Sequence, residues 1–165
     1  PEQLIDYTWG RVATFGGDGN VVHIDVTQPF DAVLAGKLVA AIAACGRPPG
    51  MAEVPRVAGA ARGYSVQRGV YGVTQGPRLE TAAEIDRLER DGCAMVGMTA
   101  MPEAALAREL SLDYAICAVA VNYAAGRSPD GAAISKQIEL NLAVGMQRAA
   151  QVLQRLIPDL CTEAL

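Results

Sequence analysis

The run from Tyr114 to Asn122 (YAICAVAVN) is almost unbroken in its apolar character and ends on a polar side chain. Such a run predicts a strand buried on both faces. A strand of that kind needs helices above and below it, and the flanking sequence supplies them. Asn20 to Thr27 (NVVHIDVT) alternates apolar and polar residues and predicts a strand. Phe30 to Cys45 predicts a helix, with Leu34, Leu38 and Ile42 on one face and Gly46 as the stop. Gly69 to Gln75 predicts a short apolar strand. Thr81-Ala-Ala-Glu84 is a capping box that opens a helix reaching Asp91, with Gly92 after it. Ala94 to Met98 predicts a buried strand, and Pro102 opens a short helix as its first residue. The last helix is expected over Ala133 to Ile157, with Pro158 ending it. Strands and helices alternate throughout, which predicts an α/β fold with a largely parallel or mixed sheet.

In such folds ligands bind beyond the carboxyl ends of the strands. Three strand ends therefore draw the search for a site: Thr74 to Glu80, Met98 to Met101, and Asn122 onward. The 165 residues suit a single domain with one core, spanning residues 1–165. Within it, residues 46–68 are rich in Pro, Gly and Arg and read as a flexible loop or insertion.

Charge and composition narrow the function. The net charge is −4 and only 5% of residues are aromatic. An acidic chain without a basic patch is a poor nucleic-acid binder, so no nucleic acid is expected as partner. No apolar run is long enough to span a bilayer, so no membrane is expected either. The cysteines Cys45, Cys93, Cys117 and Cys161 lie far apart and read as free thiols of a reducing, cytoplasmic protein. With His23 as the single histidine, no metal site is expected.

The three strand ends also carry a family resemblance. Thr74-Gln-Gly-Pro-Arg-Leu-Glu-Thr81 resembles the Gly-Pro-Arg…Glu-Thr segment of trimeric purine nucleoside phosphorylases. Val96-Gly-Met-Thr-Ala-Met-Pro-Glu-Ala104 resembles their Val-Gly-Met…Pro-Glu segment. Pro1 to Asp6 and Asp18 to Phe30 resemble the matching part of methylthioadenosine phosphorylases. The resemblance covers nearly the whole chain apart from 46–68. It implies a nucleoside phosphorylase-like mixed sheet flanked by helices. It also implies phosphorolysis: phosphate, as co-substrate and without further cofactor, attacks the anomeric carbon of a purine nucleoside while the base departs with negative charge. The protein then has to stabilise that charge and orient the phosphate.

The resemblance assigns roles residue by residue. Glu80 matches a glutamate that accepts from N1–H of a 6-oxopurine; from local pattern alone it reads first as an acid favoured beside a helix N-terminus, and the surrounding motif reverses that order. Asn122 matches the residue that touches purine N7 and the 6-substituent, and its amide suits a 6-oxo group where relatives specific for methylthioadenosine carry Asp. Val96, Gly97 and Leu79 are expected to line the base. Met98 is expected to pack on the ribose, although a Met in an apolar strand also reads as core. Thr99 is expected to donate its hydroxyl to phosphate. Ile134 and Ile138, four apart on one helical face, would suit a 5'-methylthio group, or be plain core. His23 matches a histidine that reaches a neighbouring subunit's site, which implies a homotrimer; on its own it reads as an ordinary strand histidine.

The family's Gly-rich phosphate loop, its Arg-His phosphate motif and its first strands have no counterpart in this chain. Gly16 to Gly19 (GGDG) precedes an expected strand rather than a helix and lacks the geometry of a phosphate cradle. The chain is accordingly expected to be the C-terminal portion of such an enzyme. S-Methyl-5'-thioinosine is the favoured substrate. The alternatives are S-methyl-5'-thioadenosine and a non-catalytic nucleoside-binding fragment.

Overall fold

The computed structural model describes residues 1–17, 21–46 and 69–163. Its elements run β1 (Gln3–Asp6), α1 (Ala32–Ala44), β2 (Val70–Val73), α2 (Ala82–Arg90), β3 (Cys93–Gly97), α3 (Ala100–Glu109) and α4 (Ile134–Glu163). The three strands form one sheet in the order β1-β2-β3, and both pairings are parallel. Tyr71 and Val73 of the central β2 are therefore buried, Val73 completely. With Ala100 they form one core cluster; Leu38 and Ala41 of α1 form a second with Val152 and Leu156 of α4.

Local signals account for the helix starts. Asp31 caps α1 by accepting from the Leu34 amide at 2.6 Å. The capping box of α2 is formed in full: Glu84 N donates to Thr81 Oγ1 at 3.2 Å, and Thr81 N donates to Glu84 Oε2 at 2.7 Å. Met101 is non-helical inside α3, so the regular turns begin at Pro102 as the sequence predicts.

Several expectations need correction. Residues 21–27 form no strand, and Val21 is 79% exposed. The Thr27 amide turns instead to Asp25 Oδ1 at 2.8 Å, a local bond that competes with a ladder. The place beside β2 belongs to β1, which the sequence reading missed. Tyr114–Asn122 also carries no ladder. Residues 115–117 do pack on two sides, Ala115 and Cys117 on the α1–α4 cluster and Ile116 on the Tyr71–Val73 cluster, but no residue of the run is fully buried, and Ala118 and Ala120 are exposed. Pro158 lies inside α4 rather than ending it. Leu160, beyond the proline, packs on the Val152–Leu156 cluster, and that burial offsets the lost helix hydrogen bond. Of the expected loop 46–68, residues 47–68 lie outside the described residues, as do Asp18 to Asn20.

Candidate active site

The carboxyl ends of β2 and β3 are stitched together by main-chain and side-chain bonds. The Thr74 amide donates to the Gly97 carbonyl at 2.8 Å, and the Thr74 hydroxyl donates to Glu80 Oε1 at 2.5 Å. Glu80, half-buried and immediately before the Thr81 cap, is thereby held over the end of the sheet through one carboxylate oxygen. Gly76 has φ +62°, and a Cβ there would sit 2.5 Å from Met98 Sδ. The loop from Thr74 to Glu80 is thus pressed against Met98, which only glycine permits in that backbone conformation.

A residue without a sequence signal joins these parts. One Arg11 guanidinium nitrogen donates to the carbonyls of Met98 (2.7 Å) and Met101 (2.5 Å). The other donates to those of Thr74 (3.2 Å) and Gln75 (2.7 Å). Arg11 therefore spans both strand ends. Trp9 N adds a bond to Gln75 Oε1 at 3.1 Å.

Gly97 has a packing reason to lack a side chain: a Cβ would lie 2.0 Å from the Tyr71 hydroxyl. Leu79 is 46% exposed beside Glu80. Thr99 occupies the N-cap of α3 yet makes no capping bond with its side chain. Val96 lines a separate cleft of about 300 Å³ between α2, β3 and Ala124–Arg127. None of Glu80, Met98, Thr99 and Asn122 lines that cleft.

Asn122 closes the segment before the loop to α4, and its Nδ2 donates to the Tyr123 carbonyl at 2.8 Å. The loop is tied to α2 by Arg127, 2.7 Å from Asp86 and 2.6 Å from Glu89. Since α2 begins just after Glu80, the loop and the Glu80 segment share one support. Ile134 and Ile138 are half-buried on the first turns of α4, on either side of buried Gln137. His23 is exposed on segment 21–27. Burial raises the thiols of Cys93 and Cys117 above their ordinary range.

Glu84 does two jobs beside the site. It caps α2 and pairs with Arg78 at 2.6 Å, fixing the turn that carries Leu79 and Glu80. The Arg78 hydrogen bond, followed by that of the Thr81 amide, lowers the Glu84 carboxyl from 4.5 to about 2. A depressed acid stabilises the fold fully above its ordinary value and loses that contribution as pH falls toward the folded value. As pH falls from about 5 to about 2, Tm should therefore drop more steeply in wild type than in Glu84→Gln. Parallel pH profiles in the two proteins would show that Glu84 contributes nothing.

Loops gathered over the carboxyl ends of parallel strands define the ligand-binding type of α/β fold. The chain belongs to the phosphorylase superfamily, whose model matches residues 1–158. It is 50% identical to a probable S-methyl-5'-thioinosine phosphorylase of Xylella fastidiosa, over 82% of this chain and 48% of that one. It is 48% identical to another of that name from Pseudomonas syringae pv. tomato, over 95% of this chain and 58% of that one. A crystal structure of a methylthioadenosine phosphorylase from an antarctic soil metagenomic library superposes with a TM-score of 0.82 at 28% identity, covering all of this chain and 53% of that one. The chain thus spans about half the length of the curated relatives it matches. Among the described residues, no helix is long and apolar enough to cross a membrane.

Proposed function

We propose that the chain supplies the purine-binding part of a nucleoside phosphorylase that releases a 6-oxopurine from S-methyl-5'-thioinosine with phosphate. The observation that carries this reading is the Thr74–Glu80 bond. It occupies one carboxylate oxygen and leaves the other to accept from N1–H, a donor that a 6-oxopurine has and a 6-aminopurine lacks. In this reading Asn122 donates to N7, Gly97 and Leu79 line the base, Met98 packs on the ribose, and Val96, which lines the separate cleft, stands outside the base site. Thr99 donates its uncommitted hydroxyl to phosphate. Ile134 and Ile138 receive the 5'-methylthio group, where a hydroxyl would go unpaired. His23, exposed, would reach a neighbouring copy in a homotrimer. The setting is cytoplasmic purine salvage, with phosphate as co-substrate and no cofactor or metal.

One observation favours a second reading, S-methyl-5'-thioadenosine. With one Nδ2 hydrogen given to Tyr123, Asn122 keeps one donor and one acceptor. That pair matches N7 and a 6-amino group, whereas N7 and O6 together ask for two donors.

The test is phosphate-dependent base release from methylthioinosine, methylthioadenosine and inosine by the full chain. Methylthioinosine should be preferred. Glu80→Gln should lower its kcat/KM about 100-fold, the equivalent of one charge-assisted hydrogen bond, and leave methylthioadenosine nearly untouched. Adenine release as the dominant reaction would establish the second reading. No release from any of the three would leave a nucleoside-binding chain without catalysis.

A further inference from the structure

We infer that Gln137 and Asn141 are positioning residues that clamp the main chain on both sides of Asn122 and so set which base the site accepts. The Tyr123 amide donates to Gln137 Oε1 at 2.9 Å. Asn141 Nδ2 donates to the Val121 carbonyl at 2.9 Å. These two groups belong to the peptide units immediately before and after the Asn122 Cα. Holding both units fixes the backbone torsions of Asn122 itself.

The clamp is built on a rigid part. Gln137 and Asn141 are four residues apart on α4 and present the same helical face. Gln137 is 8% exposed, and its Nε2 donates to the Ala132 carbonyl at 2.8 Å, so both ends of its amide are engaged. The Asn122 side chain lies next to the clamp, because Asn122 Nδ2 donates to the Tyr123 carbonyl, one peptide unit beyond the amide that Gln137 holds. Fixing Tyr123 decides which edge of the Asn122 amide is turned away from the protein and offered to a base. Segment 114–122 has no ladder to do this. In a strand end the neighbouring strand would hold these peptide groups; here two side-chain amides of a helix hold them.

The inference rests on the reading of Asn122 as a base contact, and the test separates the two. Asn122→Ala, Asn141→Ala and Gln137→Met are made in the full chain. Each is assayed for the ratio of kcat/KM on methylthioinosine to that on methylthioadenosine, and for hydrogen exchange at the amides of residues 121–123. Asn141 is exposed, so Asn141→Ala is expected to fold even if Gln137→Met does not. Asn141→Ala should change the selectivity ratio about tenfold, as small misplacements of a binding group do, and raise exchange at Tyr123, whose amide Gln137 holds. The KM for phosphate should stay constant, which a general loss of structure would not leave unmoved. Asn122→Ala altering the ratio while Asn141→Ala and every folded Gln137 variant leave it unchanged would overturn the inference. If Asn122→Ala itself left the ratio unchanged, the reading of Asn122 would fall. Unaltered exchange at Tyr123 in Asn141→Ala and Gln137→Met would show that no clamp exists, whatever the chemistry.

Discussion

Gly97→Ala is expected to destabilise the protein by about 3 kcal/mol, the upper part of the range for overpacking a core. The new Cβ would lie 2.0 Å from the Tyr71 hydroxyl and 2.8 and 2.9 Å from two atoms of its ring. Tyr71 is buried between Val73 and Ala100 on the central strand, so it has little room to withdraw. Either its ring leaves the core or β3 moves away from β2. The second route displaces the Gly97 carbonyl, which holds Thr74, which in turn holds Glu80. On the proposed role of Glu80, stability and base recognition should therefore fall together. Urea unfolding of wild type, Gly97→Ala, Tyr71→Phe and the double variant checks the cause. Removing the hydroxyl takes away the worst contact and leaves the ring contacts, so Tyr71→Phe should restore part of the loss but not all. A Gly97→Ala variant within about 0.5 kcal/mol of wild type would show that the phenol steps aside freely.

The features legible in the sequence were those whose causes lie close together in the chain. The Thr81–Glu84 box needs only residues three apart, and it is formed as read. The cores of β2 and β3 announce themselves by apolar runs bounded by Gly. Alternation in NVVHIDVT misled because a period of two states which residues would share a face, not whether a neighbouring strand exists to pair with. Asp25 then offered the Thr27 amide a nearer partner. The run at Tyr114–Asn122 gave two-sided packing only at residues 115–117 and the wrong hydrogen bonding, since apolar content is silent about where amides find acceptors. Around the candidate site the same division holds. Glu80 and Met98 sit in recognisable segments at the strand ends. Gln137 lies between two isoleucines in an ordinary helical pattern, and nothing local marks it as the partner of Tyr123.

Arg11 is the extreme case, because the carbonyls it serves lie 63 to 90 residues along the chain. Its loss carries the second large effect. Arg11→Ala takes away donors from four carbonyls at the ends of β2 and β3, in a part-buried setting where water replaces them imperfectly. Each such bond, made by a charged donor, is worth more than a neutral one, but a shared guanidinium does not let the four add. A loss on the order of 3 kcal/mol is expected in denaturant unfolding. Lysine should recover only a minor part of it, because a single ammonium lacks the planar fork that reaches two strands at once. The functional cost follows from geometry rather than from charge. Arg11 bonds to carbonyls on both sides of the gap between the Glu80 loop and Met98–Thr99, so on the proposed roles of these residues relaxation of that gap would move the base contact relative to the ribose and phosphate contacts. A displacement near 1 Å is enough for about a hundredfold fall in kcat/KM. If the spacing is what matters, guanidinium ion added to Arg11→Ala should restore part of the activity, while sodium at equal ionic strength should not. Full activity in Arg11→Ala, with unfolding unchanged, would mean that the four bonds are replaced by solvent without cost and that the strand ends hold their spacing unaided.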